Sequence, residues 1–120
     1  MKKEIKRYVE KKEIDNIIEE LKKYSEKDIH PTIWYESKTI IGRDMDHKFI
    51  LKTYFEFDKI YYIEEEILKY GDIGYDLYYK LSNSKTLVIG ICKKKKIEFL
   101  HAYLILQGLE RIIKWKIKKV

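Results

Sequence analysis

Hydrophobic positions along the chain recur at two spacings, one helical and one alternating. Ile14, Ile17, Ile18, Leu21 and Tyr24 repeat at three and four residues, which predicts an amphipathic helix over residues 11–26. Residues 3–9 (EIKRYVE) break that register and read as a short edge strand or a first helical turn. His30-Pro31 ends the helical stretch, because the residue before a proline avoids helical angles. Residues 32–41 (TIWYESKTII) are rich in β-branched and aromatic side chains and read as a strand. In residues 47–57, Phe49, Leu51, Thr53, Phe55 and Phe57 alternate with a mixed set, which predicts a second strand. The polar turn 42–46 would join the two as an antiparallel hairpin.

Residues 60–63 begin another strand-like run, and Glu64-Glu65-Glu66 favours a helical turn through Lys69. Gly71 and Gly74 bracket a loop, after which residues 75–81 (YDLYYKL) resume as a strand. The run 86–92 (TLVIGIC) is an apolar strand, and Gly90 within it suggests a bulge or the close approach of another group. The basic turn Lys93, Lys94, Lys95 and Lys96 follows. Phe99, Leu100, Tyr103, Leu106, Leu109, Ile112 and Ile113 then fall at helical spacing and predict a core helix over residues 97–116. The fold class expected is α+β: an N-terminal amphipathic helix, an antiparallel meander of four to six strands, and a long C-terminal helix packed on the sheet. Short gaps between elements predict one domain over residues 1–120. That element order resembles helix-grip proteins and one half of the TATA-binding protein.

Composition narrows the class. Hydrophobic residues make up 45% and charged residues 38% of 120 positions, which suits neither a disordered chain nor a membrane-spanning one. The first residues alternate charges and lack the apolar stretch of a signal peptide. Cys92 is the only cysteine, so no internal disulfide can form. A cytoplasmic protein with no membrane contact is expected. Abundant Lys and Glu with Asn only at 16 and 83 and Gln only at 107 is a hyperthermophile signature, pointing to an archaeon or an archaeal virus.

Charge is unevenly spread. Residues 85–120 hold ten Lys and Arg against two acids, whereas residues 30–84 hold seven against ten. Lys93, Lys94, Lys95, Lys96, Arg111, Lys114, Lys116, Lys118 and Lys119 therefore form the candidate phosphate-contacting set. Lysines at a helix C-terminus also suit its negative dipole end, so a capped, solvated helix explains part of this charge. Trp34, Tyr61, Tyr62, Tyr78, Tyr79 and Trp115 are candidate surfaces for stacking on unpaired bases. The reading is a small, basic, non-enzymatic protein that binds DNA or RNA with little sequence preference. The alternative is a protein-interaction module or a homodimeric regulatory subunit.

Catalytic and metal signals are sparse. Asp44, Asp46 and His47 lie within four residues, a cluster that a polar turn explains. Glu64, Glu65 and Glu66 with Asp72 and Asp76 form an acidic set for a basic partner or a divalent ion. Asp76 on one strand and residues 88–93 on the next resemble the metal-binding hairpin of restriction-endonuclease-type nucleases. Gly90 and Ile91 stand where that family needs a glutamate, so the resemblance implies at most a relative without activity. Cys92 reads as a small core residue and His101 as a core or boundary histidine on the last helix. No cofactor, metal or catalytic residue is expected.

Overall fold

A computed structural model of the protein describes residues 5–118, with side chains from Ile5 to Ile117. The chain runs β1 (Ile5–Tyr8), α1 (Lys11–Leu21), a 3-10 turn (Glu26–Asp28) and β2 (Ile29–Pro31). Next come α2 (Ile33–Tyr35), continuing as a π-helix (Glu36–Ile41), then α3 (His47–Tyr54) and a second 3-10 turn (Phe57–Lys59). Four strands follow, β3 (Ile60–Ile67), β4 (Ile73–Ser82), β5 (Lys85–Lys93) and β6 (Ile97–Ile105), before α4 (Leu109–Lys118). The six strands form one sheet in the order β1-β3-β4-β5-β6-β2. Every pairing is antiparallel except β2 with β6. The α+β class, the antiparallel meander and the C-terminal helix on the sheet are thus all present.

Several elements differ from their expected form. Residues 32–41 are helical because the Thr32 hydroxyl caps them, accepting from the Tyr35 N–H at 3.2 Å. Their buried residues, Thr32, Tyr35 and Thr39, are spaced three and four apart, which is a helical face. Residues 47–54 form α3, capped by the Asp46 carboxylate, which accepts from the Lys48 N–H at 3.1 Å. Ile50, Thr53, Tyr54 and Phe57 are the buried positions there, so the alternation over 49–57 was a coincidence of a helix-spaced set. Residues 64–67 continue β3, because Glu64, Glu65 and Glu66 pair with Asp76, Tyr75 and Gly74.

The expected helix over residues 97–116 divides into β6 and the ten-residue α4. Consecutive Gly90 and Ile91 on β5 face His101 and Phe99, so Leu100 is an extra residue on β6. That bulge breaks the two-residue alternation and mimics helical spacing.

The sheet buries two clusters, one on each face. The first face carries Leu77, Tyr79, Leu87, Ile89, Ile91, Ile97 and Phe99 and is covered by α1, α2 and α3. The second carries Tyr62, Tyr78 and Val88 beneath Leu109 and Ile112 of α4. The exposed edge of β6 is closed by side chains. Thr39 Oγ1 accepts from the Ala102 N–H at 2.9 Å, and Arg43 donates to the Ala102 carbonyl at 3.4 Å. No helix among the described residues is long and apolar enough to cross a membrane.

Candidate nucleic-acid interface

Strand alternation assigns polar residues to the second face in a row. Arg7, Glu64, Asp76, Gly90 and His101 are cross-strand neighbours from β1 to β6. Glu64 is the most deeply set of the charged members, its side chain 9% exposed. A carboxylate so placed needs donors, and it has them. The Tyr62 and Tyr78 hydroxyls each donate to it at 2.8 Å, and Lys116 from α4 reaches it at 3.1 Å. Arg7 Nε lies 3.9 Å from the same carboxylate and is buried without a hydrogen-bond partner among the described residues. Burial raises the Tyr78 phenol, helped by Tyr103 and Glu64, and burial likewise raises Tyr62. Both phenols therefore stay protonated and keep donating.

Next along the row, His101 Nε2 stands 3.4 Å from Asp76 Oδ1, with the imidazole 31% exposed. His101 is thus a strand residue paired to a carboxylate, not a helix residue bonded to a carbonyl. Gly90 makes this arrangement possible. A Cβ there would collide with His101 Nε2 and come within 2.8 Å of both flanking ring carbons. The ring therefore lies face-on across Gly90, with its other face turned away from the sheet. The Tyr103 ring is nearly parallel to it, at 14° and 5.7 Å between centroids, and the Arg43 guanidinium sits 5.7 Å from the Tyr103 centroid.

Two structures border the row. On one side, Leu68 packs on Gly74, and Lys94 joins Asp72 at 3.4 Å and Glu98 at 3.6 Å. On the other runs α4. Its Leu109 and Ile112 face the sheet, and Glu110 pairs with Lys80 on β4 at 2.8 Å. With about 100° per residue, Arg111, Lys114 and Trp115 then fall on the outer side. All three are exposed, the indole at 57%. Glu110 and Lys116 take the ion pairs of α4, and Arg111 and Lys114 take none among the described residues.

Of the nine basic residues singled out in the sequence, the seven whose side chains are described are not gathered into one stripe. Lys93 faces α1 beside Glu20, Lys94 is held by Asp72 and Glu98, and Lys96 lies near Asp28. Lys95 is exposed at the hairpin tip. This tip stands at the far end of β5 from α4, roughly 20 Å away at about 3.3 Å per residue. Lys116 points inward to Glu64, whereas Arg111 and Lys114 point out. The side chain of Lys118 and all of Lys119 lie outside the described residues.

Among the stacking candidates, Tyr62, Tyr78 and Tyr79 are fully buried, and Trp34, Tyr61 and Trp115 are exposed. Sequence reasoning missed His101, Tyr103 and Arg43 as neighbours. The one signal for them was Gly90, an interruption in an otherwise apolar strand.

Other chemistry finds little support. No group of three or more His, Cys, Asp or Glu side chains among the described residues is placed to hold a metal ion. The Cys92 thiol is buried, and burial raises its pKa, which disfavours the nucleophilic thiolate. A hollow of 510 Å³ between α1 and residues 55–58 is rimmed by the internal pairs Lys11–Asp15 and Lys22–Glu19. No family model, curated protein or solved structure matches this chain.

Proposed function

We propose that the protein binds nucleic acid through the outer face of α4 and catalyses no reaction on it. One observation carries this reading. The inward apolar stripe of α4 leaves Arg111 and Lys114 turned outward beside an exposed Trp115, with neither cation neutralised by a described carboxylate. Unpaired cations gain most from phosphate contact, because bound counterions are released as they engage. The indole supplies a sequence-tolerant contact in the same place. Lys95, exposed at the β5–β6 tip, offers a second, separate contact for an extended polyanion. A reduced cytoplasm suits the single free cysteine.

Fluorescence polarisation with a labelled oligonucleotide at two salt concentrations tests this. Wild-type protein should bind at low salt and release as salt rises. The Arg111→Ala/Lys114→Ala variant should flatten the log–log salt slope by about 1.4 on single strands, at about 0.7 per phosphate contact. Negligible affinity at low salt, or a double variant with an unchanged slope, removes the reading.

A further inference from the structure

We infer that the trough beside α4 is a stacking platform for an unpaired base, so that the bound nucleic acid is single-stranded DNA or RNA rather than duplex. The inference rests on the α4 reading and adds a second surface to it. Three features of the trough point the same way.

The first is its floor. Gly90 gives up a side chain within the buried run of β5, a cost in packing and chain entropy. What the vacancy admits is a flat imidazole lying over Gly90, its side chain 31% exposed. Asp76 Oδ1 stands 3.4 Å from its Nε2. The Tyr103 ring lies nearly parallel to it along β6, with the centroids 5.7 Å apart. An aromatic face presented this way suits stacking, which any base can join because every base has a π-face.

The second is charge. Of the two carboxylates in the row, Glu64 is taken up by two phenols and Lys116, and Asp76 stands against the His101 imidazole. The cations at the rim differ. Arg43 reaches over Tyr103 from the β6 edge while bonding only neutral groups, Thr39 and the Ala102 carbonyl. A phosphate beside a stacked base would meet Arg43 at the β6 edge, and the strand running on from it would meet Arg111 on the outer side of α4.

The third is the rotation of α4. The Glu110–Lys80 pair turns that flank of the helix toward the sheet end holding Lys80. At about 100° per residue, Trp115 falls about 140° round from Glu110, on the other flank, and Arg111 stands on the outer side between them. Along β4 the second face runs Lys80, Tyr78, Asp76, with α4 seated over the Tyr78 position. The Trp115 flank therefore lies toward Asp76 and His101. The indole, the imidazole and the Arg43 guanidinium border one trough. Duplex DNA keeps its bases stacked on each other and offers no free face to such a floor.

The test compares labelled oligo-dT and oligo-U with the same strands hybridised to their complements, at matched salt. Wild type, His101→Leu, His101→Phe and Arg111→Ala/Lys114→Ala are measured together. Leucine covers Gly90 without a ring, whereas phenylalanine keeps one. Single strands should bind more tightly than duplex. His101→Leu should weaken single-strand binding roughly 5- to 150-fold, His101→Phe should largely retain it, and duplex affinity should not move. The Arg111→Ala/Lys114→Ala variant should weaken every nucleic acid. Preference for oligo-U over oligo-dT would assign RNA, and the reverse DNA. Equal binding of single strands and duplex, or His101→Leu matching His101→Phe, overturns the platform and leaves the α4 reading standing. No binding by wild type overturns both.

Discussion

The two faces of the sheet are built from the same strands yet solve different problems. On the first face, α1, α2 and α3 seal a cluster of aliphatic and aromatic side chains. Its buried polar groups are neutral, such as the Tyr79 hydroxyl donating to the Tyr54 carbonyl at 2.7 Å. On the second face, one ten-residue helix covers part of the area. Beside it lies a row that mixes Arg7, Glu64, Asp76 and His101. Apolar burial supplies most of the driving force for folding, and paired buried charges contribute little net stability against apolar replacements. The first face holds the fold, and under the proposed function the second is the one that meets the nucleic acid.

The strongest way to break both faces together is alkaline pH. Buried phenols sit on each: Tyr54 and Tyr79 on the first, Tyr62 and Tyr78 on the second. Burial raises all four above the ordinary tyrosine value. A group whose folded pKa is raised contributes stability that is fully present below its unfolded pKa, about 10 for tyrosine. That contribution is lost as pH rises through the folded values. Titration followed by phenolate absorbance and far-ultraviolet circular dichroism should show ionisation of these tyrosines coinciding with unfolding above about pH 10. Ionisation complete before any loss of structure would contradict it.

A pair of substitutions then separates the faces. Ile89→Ala should cost about 2–5 kcal/mol in urea unfolding, as expected for a fully buried aliphatic side chain. It should leave binding per folded molecule unchanged. Glu64→Gln should cost less, about 1.5–3 kcal/mol, the range for hydrogen bonds to a charged group. It should also alter binding, because Lys116 and the C-terminal half of α4 lose their anchor. Equal effects of both on binding would erase the division of labour between the faces.

The uneven legibility of the sequence follows the same division. Residues 86–92 read as a strand because its apolar run is continuous, and residues 75–81 because aromatic and aliphatic side chains dominate them. The amphipathic stripe of α1 was equally plain. Residues 32–41 and 47–57 misled because Ile, Thr, Tyr and Phe favour strands by intrinsic preference. Two side-chain caps, Thr32 and Asp46, together with burial against the sheet, overrode that preference. In β6 the extra Leu100 disguised a strand as a helix, and with it the facing of His101.

The basic set was legible as composition and not as a surface. Its lysines are divided between the hairpin tip and α4, and Lys94 and Lys116 are consumed by Asp72, Glu98 and Glu64. The trough itself needs three strands in register before Asp76, Gly90 and His101 meet. No local pattern in the chain encodes that meeting, apart from a glycine where an apolar side chain would otherwise stand.

The most direct measurement uses the molecule's own reporter. Trp34 and Trp115 are its two tryptophans, so a Trp34→Phe protein emits from Trp115 alone. Titration of that protein with unlabelled single-stranded oligonucleotide at low salt should quench the emission saturably, and added salt should restore it. Emission that stays constant while bound oligonucleotide is detected by polarisation would place the contact away from α4 and contradict the account.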